Sequence, residues 1–389
     1  MASTSVAAAT GRSTTTAAPT ESLKHIRALD GVRGLAILLV FLFHLLSSNH
    51  APSGSPLIGV ILKLRDTGWI GVDLFFALSG FLITGILFDT LASQHYFRNF
   101  YIRRALRIFP LYYGVLLVLF LLVRPDWRQG RQFYLLPVYL QNTSLWWNAP
   151  DSGIIKSLTG HLWSLAVEEQ FYLVWPLVVF CIRDRRKLLW IALAVVLIAP
   201  VLRTLLLTHG GSIQATYKTT LCRADSLLAG AALALAIRGP RRAAILRAAA
   251  PLFWLAILAC ALLAWKTGSF FWGDNFAVNT IGYSLLAVAG TSLIALCLRA
   301  GSTAKLMSIS PLRWLGKYSY GIYVIHQMTF MAYQSFLLTH IHSRVLLHLA
   351  LPLSNLAVTL PLAWLSYRFY EQPFLRLKRY FPDRPAPTQ

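Results

Sequence analysis

The chain is divided into apolar stretches long enough to cross a hydrocarbon core of about 30 Å. They are placed around 33–48, 69–90, 108–123, 162–182, 188–207, 221–237, 250–266, 276–298, 318–338 and 346–369, separated by short bursts of arginine and lysine. In lipid such a run satisfies its own backbone groups as a helix. The expected fold is therefore all-α, a polytopic integral membrane protein of about ten transmembrane helices. Only 13% of the residues are charged and 56% are hydrophobic, where a soluble domain carries about 25% charged residues. Mean hydropathy is +0.57.

The formal charge of +22 raises nucleic acid as a partner. The basic residues form no single face or tail, however, and membrane topology explains them better. The bursts near 24–33, 98–107, 183–187, 238–247, 299–317 and 368–384 hold most of the 36 Lys and Arg and fall in alternate connections. The positive-inside rule places these connections, and both termini, in the cytoplasm of a multi-pass protein of the cytoplasmic (inner) membrane. The lipid bilayer is the first partner, and nucleic acid is not expected.

Residues 1–22 lack the apolar core of a signal peptide and read as a disordered cytoplasmic tail. Residues 23–376 form the membrane domain and 377–389 a short basic tail. Cys181, Cys222, Cys260 and Cys297 occur singly, without metal-ligand spacing, and read as unpaired packing residues. The largest outer connection, 124–160, mixes Trp127, Trp146 and Trp147 with Asn142 and Pro150. Such a mixture suits sugar rings or an interfacial belt.

Arg33 and His44 stand eleven residues apart in the first apolar segment. Eleven helical steps are close to three turns, so the two share a face and lie about 16 Å apart along the axis. An imidazole at such depth is costly and usually faces a polar cavity. His161, Ser164, Glu168, Tyr172 and Trp175 share another face by the same periodicity, and Ser319, Tyr323 and His326 a third. Asp73, Gly80 and Thr84 make a stripe of small or polar residues suited to close helix packing, in which Asp73 exceeds what packing needs.

Six motifs in order give the chain its resemblance. They are Arg27 to Gly34 with His44, Gly71 to Thr84, Phe100 to Tyr113, His161 to Pro176, Tyr318 to His326, and Glu371 to Pro373. Together they closely resemble the acyltransferase-3 family of integral-membrane acyltransferases, over about Ile26 to Phe374. The resemblance implies a ten-helix core that moves acyl groups, commonly acetyl from acetyl-CoA, onto hydroxyls of cell-envelope glycans or secreted small molecules. Some members add a soluble esterase-like domain, which is not expected within these 389 residues.

On that resemblance His44 is the expected general base, taking the proton of a glycan hydroxyl as it attacks a thioester. Arg33, Arg104 and Arg107, with Arg103, are expected to hold acyl-CoA phosphates through forked donors; the rival reading of the Arg103–Arg107 burst is ordinary topology. Asp30 is expected to hold Arg33 in place. Glu168 either orients His44, binds the acceptor, or pairs with an arginine such as Arg223. Asp73, Ser164, Tyr172 and His326 are candidates for the acceptor site, with helix packing as the alternative for His326. Glu371 reads as an ion pair with Arg368. No GxSxG, HExxH or Walker-type loop occurs, and no metal is expected. The rival from another class is a proton-coupled secondary transporter built on the same buried ionisable residues. It lacks an evident internal repeat. Transfer through an acyl-histidine is a further alternative to direct transfer.

Overall fold

The computed structural model describes residues 26–45, 67–125, 132–148, 153–268, 270, 273 and 275–382. The expected N-terminal tail, Trp127 and Pro150 lie outside these residues. The architecture is all-helical, with no strand among the described residues. The long helices are α1 (Arg27–Leu45), α2 (Gly71–Asp89), α3 (Tyr96–Val123), α4 (Trp163–Ile182) and α5 (Arg185–Thr208), followed by α6 (Thr220–Ala236), α7 (Arg242–Thr267), α8 (Tyr283–Cys297), α9 (Ser310–His340) and α10 (Arg344–Leu365). Each expected apolar stretch coincides with one of them. Seven of the described helical stretches are long and apolar enough to cross a membrane, and the protein is a polytopic membrane protein. α1 carries three charged residues, Arg27, Asp30 and Arg33, in its first two turns.

Burial separates a centre from a periphery. In the apolar windows of Gly68–Asp89 and Ile213–Ala236, which contain α2 and α6, 72% of residues are buried inside the protein, against 11% for α7 and 17% for α5. Small residues let the central helices approach. A Cβ at Gly34 would lie 1.8 Å from the Leu312 carbonyl oxygen of α9, and one at Gly80 would lie 1.7 Å from the Leu227 oxygen of α6. These contacts put backbone against backbone, the packing that serves in lipid, where apolar side chains gain nothing by leaving the solvent.

Two buried ion pairs tie the centre together. Arg203 of α5 reaches Asp225 of α6 at 2.9 Å, both side chains fully buried, and also donates to the Thr280 carbonyl and to Ser284. Arg223 of α6 meets Asp73 of α2 at 2.6 Å, Ser226 donates to the same carboxylate oxygen, and the guanidinium lies 4.0 Å over the Tyr283 ring. The charged partner that Asp73 called for is thus Arg223. This engagement removes Arg223 as a partner for Glu168.

Local chemistry sets the reversals. Between α4 and α5, Arg183 adopts a positive φ of 54°, and Asp184 then caps α5 by accepting from the Lys187 amide at 2.8 Å, which satisfies an otherwise orphaned donor. The C-terminal end departs from expectation. A π-helical turn over Ser366–Glu371 offsets the normal helical register, so Arg368 donates to Gln372 at 3.0 Å rather than to Glu371. Glu371 is buried and accepts from Ser366 at 3.2 Å. The first residues of the expected basic tail are also docked: Asn99 of α3 donates to the Pro382 carbonyl at 2.9 Å. All four cysteines are free thiols.

Candidate active site

Two cavities meet in the centre of the bundle. The first has a volume of about 120 Å3 and takes its cations from two helices, Arg33 from α1 and Arg104 and Arg107 from α3. Glu168 and Tyr172 of α4, Ser79 of α2 and Ser319 of α9 complete its polar wall. Arg33 is steadied by Asp30 one turn earlier, at 3.3 Å. The Ser79 and Tyr172 hydroxyls lie 2.5 Å apart beside the Glu168 carboxylate. Three guanidinium groups in one wall give this chamber forked donors suited to phosphate oxygens.

The second cavity, of about 280 Å3, is lined by His44 of α1, His161 just before α4, Lys156 and Lys218, with Trp69, Trp163 and Tyr217 as aromatic walls. Its centre of chemistry is an imidazole cluster. The His326 ring lies 4.9 Å from both His44 and His161, centroid to centroid, and the His44 and His161 rings are 6.5 Å apart. Nδ1 of His44 lies 2.9 Å from the Val40 carbonyl oxygen. A carbonyl oxygen only accepts, so Nδ1 carries the hydrogen, and Nε2 of the neutral ring keeps a free lone pair. The same argument applies to His326, whose Nδ1 donates to the Tyr323 carbonyl at 2.8 Å and whose Nε2 has no partner. Among the described residues no group of His, Cys, Asp or Glu is arranged to hold a metal ion.

Val72 and Tyr323 line both cavities and form the partition between them. Tyr323 is held on two sides. Its hydroxyl donates to the His161 carbonyl, so its oxygen accepts from Ser164, 2.6 Å away.

The sequence-expected residues are therefore sorted between two chambers. Arg33, Arg104, Arg107, Glu168, Ser164 and Tyr172 line the arginine cavity; His44 lines the histidine cavity, and His326 is fully buried against it. Three expectations shift. Arg103 is committed elsewhere, donating to the Lys378 and Phe381 carbonyls at 3.1 and 2.9 Å. It pins the C-terminal segment to α3, because one helical step from Arg104 turns it by about 100°. Asp73 is locked in its ion pair and lines neither cavity. Asp30 lies 3.3 Å from Arg33, the contact expected of a positioning residue. Ser164 and Tyr172 share a chamber with the arginines rather than with the imidazoles.

Residues not singled out by sequence reasoning also line the site, notably Ser79 beside Glu168, and Lys156 and Lys218 beside the imidazoles, while Tyr323, read from the sequence as part of a polar stripe, stands as the partition. The lysines carried one unread signal: they are cations away from the arginine-rich connections.

Known proteins resemble this chain over nearly its whole length. The model of a family described as an acyltransferase domain matches residues 26–368. A Bacillus subtilis protein named "Putative peptidoglycan O-acetyltransferase YrhL" is 32% identical over 380 residues, covering 91% of this chain and 55% of the relative. The Listeria monocytogenes "Peptidoglycan O-acetyltransferase OatA" is 30% identical over 392 residues, covering 93% and 58% respectively. The chain thus spans little more than half the length of these curated relatives. No solved structure matches. With the family's model matched over nearly its whole length, the chain belongs to the acyltransferase-3 family.

Proposed function

We propose that the protein is a membrane O-acyltransferase that moves an acyl group, in the first instance acetyl, from acyl-CoA to a hydroxyl of a cell-envelope glycan. The observation that carries this reading is the meeting of two cavities at Tyr323 and Val72, one lined by three arginines and the other by an imidazole with a free Nε2. The charge alternation orients them. With the bursts at 98–107 and 183–187 in the cytoplasm, the arginine cavity opens toward the cytoplasm of the inner membrane, where acyl-CoA is found, in a ten-span topology with both termini inside. The relatives' names supply the acceptor class, a peptidoglycan-like glycan.

The dimensions suit the donor. Arg33 and His44 are separated by about 16 Å along α1, a span of the order of an extended pantetheine arm. Phosphates held by Arg33, Arg104 and Arg107 therefore allow the thioester to reach the partition. A glycan hydroxyl in the histidine cavity then attacks the thioester carbonyl while His44 Nε2 takes its proton. The C–S bond breaks as the ester forms, and the imidazolium returns the proton to the departing thiolate, so that one ester and one thiol leave and the base is regenerated. Glu168, on the arginine side of the partition, supplies a counter-charge to Arg33 and Arg104 rather than an orienting contact to His44. The carrier reading would use the buried acids and bases as a conduit, but Asp73, Arg223, Arg203 and Asp225 are engaged as struts between helices.

The test is transfer of radiolabelled acetyl from acetyl-CoA to a soluble peptidoglycan fragment by the purified protein in nanodiscs. An alkali-labile O-acetyl ester on the glycan is the expected product. Acetyl-CoA binding without any ester on glycan or glycoside acceptors overturns the proposal.

A further inference from the structure

The histidine cavity is charged in a way that the acyl-transfer chemistry alone does not use. Lys156, on the short helix Gly153–Thr159, and Lys218, closing the short helix Ile213–Lys218, both line it, and no Asp or Glu among the described residues does so. The arginine cavity differs, since Glu168 faces its cations. Lys218 is half-buried, and no carboxylate among the described residues pairs with its ammonium. Its place is nevertheless built: Asn142 donates to the Lys218 carbonyl at 3.4 Å and to Thr220 at 2.9 Å, and the Gln170 side chain holds Asn142 in turn at 2.9 Å. Holding an ammonium partly out of water without an opposite charge is costly, and a second ammonium on the same chamber adds repulsion. A bound anion relieves both costs.

We propose that Lys156 and Lys218 form an anion subsite for the acceptor, so that the preferred glycan carries a carboxylate or phosphate group near the hydroxyl presented to His44. The inference deepens the acyl-transfer reading and rests on it for the word acceptor. Trp69, Trp163 and Tyr217 in the same wall offer flat faces to a sugar ring, and the lysines fix which way round that ring enters.

The experiment measures binding by calorimetry to the full chain in phosphatidylcholine nanodiscs, without acetyl-CoA. Three probes are compared: a muramic acid disaccharide, its carboxylate methyl ester, and a neutral disaccharide bearing a 1-phosphate. A charge-assisted contact favours the anion over its ester, so at least one anionic probe is expected to bind about tenfold tighter than the ester. Which one does so distinguishes carboxylate from phosphate recognition. The advantage should shrink with added salt, disappear in Lys156→Met/Lys218→Met and survive in Lys218→Arg. Equal affinity for acid, phosphate and ester, no measurable binding of either anionic probe, or an advantage that persists in the double variant overturns the subsite. Acetyl transfer to the same probes is scored separately: lysine-dependent binding without transfer leaves the anion subsite standing and removes the transferase reading.

Discussion

The Ser164 hydroxyl lies 2.6 Å from the hydroxyl of Tyr323, and this bond sits at the wall between a chamber of guanidinium groups and a chamber of imidazoles. An acyl group that passes from one chamber to the other must pass the Tyr323 ring. Removing the ring joins the chambers and lets water reach the thioester. Tyr323→Ala is therefore expected to raise acceptor-independent hydrolysis of acetyl-CoA by about tenfold, a barrier change of about 1.4 kcal/mol. Tyr323→Phe keeps the ring, loses the bond and should hydrolyse acetyl-CoA far less. The check is release of free thiol in the absence of glycan; equal hydrolysis by wild type and Tyr323→Ala counts against a partition.

Arg33, Arg104 and Arg107 make a prediction that contrasts with Arg103. Replacing any of the first three by Ala should raise the KM for acetyl-CoA by about tenfold or more, since a charge-assisted contact is worth about 1.5–3 kcal/mol, and leave acceptor preference intact. Arg33→Lys should rescue only in part, because an ammonium lacks the fork. Arg103→Ala should leave the donor KM unchanged and instead expose the C-terminal segment after Arg376 to protease, as its two carbonyl contacts are lost. A donor KM that moves for Arg103 and not for the other three would invert the assignment.

Much of this was legible in the chain. The apolar stretches marked each long helix because lipid demands length and hydropathy, and both are written locally. The shared face of Arg33 with Asp30 followed from helical period alone. The division of the site into two chambers was not legible. His161 and Glu168 lie on one helical face, yet the Tyr323 ring, from a helix more than a hundred residues later, separates them, and no local period reports such a contact. The fate of Arg103 was hidden for the same reason, since its partners are backbone carbonyls beyond residue 377. The Arg368–Glu371 pairing failed because a π-helical turn is a departure from the period on which the reading relied.

The charge alternation predicts sidedness. A reporter fused after Arg186 or Arg242 should be cytoplasmic and one within 132–148 external, as read by paired alkaline phosphatase and fluorescent protein fusions. Finding the Arg186 fusion outside would reverse the orientation of both cavities and with it the direction of acyl flow.

Arg203 and Asp225 predict a stability effect that is separable from chemistry. Both are fully buried, and removing one partner leaves the other charge without compensation, at a cost of about 3–5 kcal/mol. Asp225→Ala should sharply lower the thermal midpoint in detergent. Arg203→Met/Asp225→Leu should recover most of it, because an apolar pair of similar volume avoids desolvating either charge. Since neither residue lines a cavity, the recovered protein should bind acetyl-CoA with unchanged affinity. A double variant as unstable as the single would mean that the Thr280 and Ser284 contacts of Arg203, rather than the ion pair, carry the effect.

His44 carries the most exposed prediction. Its Nδ1 is occupied by the Val40 carbonyl, so Nε2 is the atom offered to a substrate hydroxyl. His44→Ala and His44→Gln should both insert and bind acetyl-CoA, yet lose transfer by roughly 10²- to 10⁴-fold, the usual worth of a placed base. Glutamine is the informative variant, since its amide fills the space and donates a hydrogen bond but does not accept the proton at neutral pH. The sign of the pH dependence follows from the same atom. The neutral ring is the active form, so turnover should fall as the medium is acidified and the imidazole is charged, and a charged His326 or His161 within 7 Å would add repulsion to the imidazolium that forms during transfer. His44→Gln protein that turns over at near the wild-type rate, in membranes where it is shown to be folded, would falsify the role of His44 as base and leave it as packing between α1 and α9.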